Sequence, residues 1–122
     1  MERKRFSTKE RMNSFGYAWM GLKSALRTEH NTWIHLVLTI SAIGLAAFLR
    51  IDRLEWMALI IVTAMVWTAE LFNTVIEKVM DFLSTERHPQ IKIIKDMAAA
   101  AVLVSAIAAV IVGLLIFIPK LF

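Results

Sequence analysis

The stretch from Met97 to Ile118 runs for 22 residues without one charged side chain. Wound as a helix rising about 1.5 Å per residue it covers roughly 33 Å, enough for a hydrocarbon layer of about 30 Å. A soluble domain of 122 residues would not carry 58% hydrophobic residues and a mean hydropathy of +0.63. Charged residues make up 20% of the chain and crowd into a few segments. The chain therefore reads as a membrane protein, with room for one domain. Its net charge of +4 sits beside apolar spans, so anionic headgroups and nucleotide phosphates are more economical partners than nucleic acid. With no cysteine, disulfides, thiolate metal sites and thiol catalysis are excluded.

The expected architecture is an all-α membrane protein: an amphipathic surface helix at about 7–29, then spans at about 32–50, 54–82 and 95–118. Residues 1–6 are basic and read as lying on the headgroups. Ser7-Thr8-Lys9-Glu10 has the form of a capping box, a hydroxyl for an orphan backbone N–H with Glu three residues on. Met12, Phe15, Trp19, Leu22 and Leu26 then recur at helical spacing as one apolar stripe, with Lys9, Arg11, Lys23 and Arg27 as its cationic complement. Such a helix can lie in the interface plane, or pack as an ordinary amphipathic helix on protein. About thirty mostly polar residues precede the first apolar run, which argues against a cleavable signal peptide. The second span continues past Ala69 with polar residues still in helical register. Ser84 to Gln90 reads as a polar loop around Pro89.

Of the 14 Lys and Arg, seven precede the first span, two lie in the turn at 50–53, four lie between Lys78 and Lys95, and one is Lys120. By the positive-inside bias, the N-terminus and the 82–95 loop are cytoplasmic and the C-terminus is outside.

Glu70, Asn73, Glu77 and Asp81 are spaced by 3, 4 and 4 and share one face of the second span. Glu70 follows fourteen uncharged residues, Trp56 to Ala69, so it lies within the bilayer or near its inner boundary. An acid at the bilayer centre costs about 2.5–3.5 kcal/mol on insertion scales. Packing alone gives no reason to place several on one stripe, although protonated carboxyls and amides can glue helix pairs. The stripe reads as a metal-binding or proton-handling site. Glu29, closing the surface helix, is either a solvated helix-end charge or, with Glu77, a ligand for Mg²⁺, which takes its remaining ligands from water and phosphate. Lys95 and Asp96 read either as nucleotide contacts or as an interfacial anchor and a helix contact. His30, His35 and His88 lack zinc spacing, and glycines 16, 21, 44 and 113 form no phosphate-cradling loop. Any ATP chemistry must then rely on Mg²⁺ and on Lys or Arg for charge neutralisation.

The run Glu70-Leu-Phe-Asn73-Thr-Val-Ile-Glu77-Lys-Val-Met-Asp81 resembles the E-x-x-N-x-x-x-E-x-x-x-D signature of prokaryotic diacylglycerol and undecaprenol kinases. Glu86-Arg87-His88-Pro89, the segment from Lys95-Asp96 to Val102, and Gly16-Tyr17-Ala-Trp19-x-Gly21-Leu with Glu29 after it also match. The similarity covers essentially everything after residue 10. The resemblance implies ATP-dependent phosphorylation of a lipid primary hydroxyl by a homotrimer whose sites lie between protomers, in the inner membrane of a bacterium. It implies Glu70 as the general base, with Asn73 ordering base and hydroxyl. Glu29 and Glu77 become Mg²⁺ ligands. Tyr17, Glu29, Glu77, Glu86, Arg87, His88, Lys95 and Asp96 line the nucleotide, and Ser14, Trp19, Glu70 and Ala99 touch the lipid. His35 resembles the undecaprenol kinase branch, where the best-known diacylglycerol kinases carry an acid. Trp33 replaces an Arg frequent in that branch, Glu10 replaces a base, and Ala98 to Ala101 lack the Gly or Ser of many relatives. Undecaprenol is thus expected ahead of diacylglycerol. The competing reading is a small oligomeric transporter or channel subunit with Glu70 as its proton or cation site. The short outer turn and the one-sided polar groups disfavour it.

Overall fold

A computed structural model describes residues 5–122; the first four residues of the basic leader lie outside the described residues. The chain is helical throughout, with α1 at Thr8–Thr28, α2 at His30–Leu49, α3 at Arg53–Leu83 and α4 at Pro89–Leu121. It divides into two units, one ending at Trp33 and the other running from Ile34 to Phe122.

In the first unit, Ser7 caps α1 from an extended backbone, and its hydroxyl accepts from the Glu10 N–H at 3.3 Å. The serine half of the expected capping box is therefore formed. At the other end Glu29 leaves the helix with extended φ and ψ while its N–H still donates to the Ala25 carbonyl at 3.0 Å. The Leu26 carbonyl, which has no partner within the helix ladder, accepts from Trp33 Nε1 at 2.5 Å. Phe15 and Trp19 are exposed, and the Lys23 ammonium lies 5.8 Å from the centre of the Trp19 ring.

The second unit is built on an antiparallel pair, α3 and α4, joined by the short loop 84–88, with α2 entering α3 through a tight turn at 50–52. That turn follows from its hydrogen bonds. Arg50 takes φ 52°, its N–H donates to the Ala47 carbonyl, and the Ile51 N–H reaches back to Ala46. This is a Schellman ending, which satisfies two of the last carbonyls of α2. Its customary apolar contact is present too, since Ala46 and Ile51 are buried together with Leu59 and Ile116. Asp52 then starts α3: its Oδ1 accepts from the Glu55 N–H at 2.8 Å, and Glu55 Oε1 accepts from the Asp52 N–H at 3.3 Å. Lys120 from the end of α4 reaches the same Glu55 oxygen at 3.2 Å. The Glu55 backbone N–H, its side chain and the charge of Lys120 hold the Asp52 carboxyl below its ordinary value. A depressed carboxyl stabilises the cap above its unfolded pKa, and that contribution disappears as pH falls through the folded value.

An L-residue in the left-handed region costs about 1–2 kcal/mol, and glycine offsets its relief with roughly 0.5–1 kcal/mol of extra unfolded-state freedom. Arg50→Gly should therefore stabilise the fold by about 0.5–1 kcal/mol, whereas Arg50→Val should destabilise it. Unfolding in detergent micelles checks the order; equal effects would show that the turn is not held in this conformation.

Helices α2, α3 and α4 are each long and apolar enough to cross a membrane. Their many large apolar side chains, such as Phe48, Phe72 and Leu115, remain exposed, a surface that only lipid or other protein can cover. Inside the unit, α3 buries Leu59, Val62, Val66, Glu70, Asn73 and Thr74. One face is thus apolar near the 50–52 turn and becomes polar from Glu70 onward. The third apolar helix begins six residues before the expected 95. Pro89 does not close a loop but opens α4 at its first turn, where its missing N–H is no loss and its φ is already set. His88 supplies the cap, Nδ1 accepting from the Gln90 N–H at 3.1 Å. The polar loop accordingly shrinks to 84–88, where the Ser84 hydroxyl accepts from the Glu86 N–H at 3.1 Å.

Candidate active site

Two polar clusters of the second unit follow each other along α3. The deeper one is centred on Glu70, 5% exposed, in a helix whose preceding turns are apolar. His35 of α2 faces it, with Nε2 at 3.3 Å from Glu70 Oε2. One turn along, Asn73 is buried; its Nδ2 donates to Glu77 Oε1 at 3.3 Å, while its Oδ1 has no protein partner. An amide oxygen left bare in a buried position costs about 1–3 kcal/mol. It is the kind of acceptor a substrate hydroxyl or a water can satisfy. Glu77 is half-buried. Seven residues separate it from Glu70, two turns or about 10.5 Å along the axis.

The shallower cluster surrounds the 84–88 loop, where the ends of α3 and α4 enclose a cleft of about 590 Å³. Glu86, Arg87, His88, Lys92, Lys95 and Asp96 line it. Its cations are already held in place: Lys95 Nζ lies 2.6 Å from Asp81 Oδ1, and Lys92 Nζ lies 2.6 Å from Asp96 Oδ2. These pairs are largely exposed and worth little to stability. Both ammonium groups belong to residues that line the cleft. A cleft with a guanidinium, two ammoniums and carboxylates has the complement of groups that a nucleoside phosphate requires.

The expected site residues are thus distributed in a definite way. Glu70, Asn73 and Glu77 share the α3 face, and Glu86, Arg87, His88, Lys95 and Asp96 share the cleft. Ser14, Tyr17 and Trp19 are exposed on α1 and Glu29 is its C-cap, all in the first unit. Ala99 is exposed on α4. The N-terminal turns of α4 carry Lys95 and Asp96 inside the helix rather than at its end. As for a metal, no group of three or more His, Cys, Asp or Glu among the described residues is arranged to hold one. Mg²⁺ needs no such cage: it takes one or two carboxylates and completes its shell with water and phosphate. A carboxylate oxygen donor such as Glu77 suits that hard cation.

Sequence reasoning missed the partnership of His35 with Glu70 and the pairing of Asp81 with Lys95. The first had a signal. His35 lies 16 residues before Ile51 and Glu70 lies 19 after it, so two helices folded back through that turn bring them to nearly the same depth.

The sequence profile of the family described as prokaryotic diacylglycerol kinase matches residues 16–117. An undecaprenol kinase of Bacillus subtilis (strain 168) is 36% identical over 108 residues, which cover 88% of either chain. A diacylglycerol kinase of Synechocystis is 39% identical over 109 residues, 88% of this chain and 62% of the relative. A diacylglycerol kinase of Escherichia coli (strain K12) is 35% identical over 96 residues, 79% of either chain.

Proposed function

The chain belongs to the prokaryotic diacylglycerol kinase family and is a membrane-embedded, ATP-dependent lipid kinase, and from that premise we propose how its residues divide the work. The buried Glu70 carboxylate, beside a bare Asn73 oxygen and above a cationic cleft on the same helix, carries the reading. The nucleotide occupies the cleft between α3 and α4, with Arg87, Lys92 and Lys95 against phosphate oxygens and Glu86, His88 and Asp96 toward ribose and base. Tyr17 of α1 closes the same ligand. Glu77 and Glu29 hold Mg²⁺, which when bound neutralises phosphate charge.

Lipid enters from the bilayer with its hydroxyl toward Glu70, contacting Ser14, Trp19 and Ala99. Glu70 takes the hydroxyl proton as the oxygen forms its bond to the γ-phosphorus. The bond from that phosphorus to the bridging oxygen breaks, and ADP departs with the electron pair. Asn73 holds Glu77 through Nδ2 and, one turn from Glu70, helps order the base and the lipid hydroxyl. A loose phosphoryl-transfer transition state asks for positioning, a base and charge neutralisation, and these residues supply each. The transporter alternative weighed for Glu70 finds no support in the family match.

The whole chain acts as one kinase domain in the inner membrane of a bacterium. Eleven of the 14 Lys and Arg fall on the side of α1 and the segment 78–95, and by the positive-inside bias this side faces the cytoplasm and ATP, with the C-terminus outside. The α1 helix lies along the membrane surface with Phe15 and Trp19 toward the acyl chains. Homotrimers cover the exposed apolar faces and complete each site from a neighbour.

Undecaprenol is placed ahead of diacylglycerol as the lipid, because His35 stands where the best-known diacylglycerol kinases of the resembling family carry an acid. Purified protein with Mg-ATP should phosphorylate undecaprenol faster than diacylglycerol in the same mixed micelles. A faster reaction with diacylglycerol would reverse the lipid assignment. Phosphate transfer to neither would overturn the residue scheme as well.

A further inference from the structure

His35 is gripped from two sides by successive turns of α3. Its ring nitrogen meets Glu70, with Nε2 and Oε2 3.3 Å apart. Its backbone carbonyl accepts from the Thr39 hydroxyl at 2.7 Å, and that hydroxyl accepts from Trp67 Nε1 at 2.8 Å. The Trp67 ring lies 6.3 Å from the imidazole and tilted by 57°. Trp67 and Glu70 are three residues apart on one face of α3, so one turn of α2 is locked to one face of α3 through both backbone and ring. The groove beside His35 is mostly apolar, with Leu38, Ala42, Val66, Ala106 and Val110 in its walls beside Thr39 and Thr63. Glu70 from α3 is the titratable group that faces the imidazole; α4 presents only apolar side chains on that wall.

We propose that His35 is the positioning residue of the base: Nε2–H donates to Oε2 of Glu70 and so turns Oε1 toward the lipid hydroxyl. The inference rests on Glu70 being the base. A lone carboxylate at the end of a flexible side chain has several rotamers, and only some aim a lone pair at a hydroxyl in line with the γ-phosphorus. Fixing one oxygen removes that freedom before substrate arrives. It also provides a donor for an oxygen of a carboxyl that is 5% exposed. The proton balance is that of the reaction already given: it moves from the hydroxyl to Oε1, and His35 neither gains nor loses one.

Two variants separate this role from packing. His35→Phe keeps a ring against Trp67 and loses the donor; His35→Gln loses the ring and keeps an N–H donor of similar reach. His35→Phe should lower kcat by about 10²-fold, the size of effect an ångström-scale misplacement produces. KM for Mg-ATP should stay where it is in that variant. His35→Gln should recover most of the loss. In a Glu70→Gln background, His35→Phe should cost nothing further, because there is no base left to aim. Unfolding in micelles shows that each variant is folded. The proposal is overturned if His35→Phe turns over normally while Glu70→Gln is dead, or if the phenylalanine variant outperforms the glutamine variant. Losses that multiply in the double variant would also overturn it. Normal turnover by Glu70→Gln would sink the base assignment and this inference together.

Discussion

Glu70→Gln should lower kcat by about 10²–10⁴-fold, the range for removing a general base, while binding of Mg-ATP survives. The amide has the carboxylate's shape and can still accept from His35 or donate to a hydroxyl, so the helix face keeps its packing. What disappears is an oxygen able to hold the proton that leaves the lipid hydroxyl. Without it the nucleophile must attack as the neutral alcohol, or lose its proton to a weaker base. In the proposed scheme nucleotide is held about 10.5 Å or more away along α3, at Glu77 and in the cleft beyond it. The prediction is therefore a split, with kcat falling steeply and KM for Mg-ATP holding. Isothermal binding of Mg-ATP and steady-state turnover on the same preparation measure both halves. Near-parental turnover removes Glu70 from the role; a parallel loss of nucleotide binding would mean that the variant had disturbed the whole α3 face.

Much of this geometry can be read along the chain because α3 carries it locally. Helical spacing alone places Glu70, Asn73 and Glu77 on one face, and the structure buries the first two and bonds the second to the third. The fourth member of that stripe, Asp81, differs: it is exposed and pairs with Lys95 across the loop, a contact no single-helix pattern encodes. His35 escaped for the same reason. One histidine in an apolar run carries no periodic signal, and its role appears only when the 50–52 turn brings α2 back beside α3. Pro89 was legible as a residue and ambiguous in consequence, since proline both ends loops and begins helices. The hydrogen bond to His88 Nδ1 settles which. The cleft residues Glu86 to His88 have no physical signature in sequence at all. A resemblance pointed to them, and the fold gathers them around one volume.

Mixing two inactive variants should restore activity. The second unit holds the buried Glu70 and Asn73 and the cleft between α3 and α4, whereas Ser14, Tyr17, Trp19 and Glu29 all belong to the first unit. Three spans and one surface helix offer too little protein to enclose an amphiphile, its hydroxyl and a triphosphate together. The exposed apolar faces of α2, α3 and α4 also need covering. In a trimer, one protomer's α1 then walls the site of its neighbour. Ser14→Gln crowds that wall, because the hydroxyl it replaces is small and folded back onto the Glu10 carbonyl at 3.0 Å. Glu70→Gln removes the base. Each variant alone is inactive by a different half of the composite site. In a mixed trimer, some sites pair an intact α1 with an intact Glu70, while others collect both lesions. Activity after subunit exchange and reconstitution should therefore rise from the background of either variant to a maximum at intermediate mixing ratios, and fall again toward both ends. Exchange is followed independently by energy transfer between labelled protomers. If labels mix and every ratio stays at background, each protomer holds its own complete site, and the shared-site assembly is wrong.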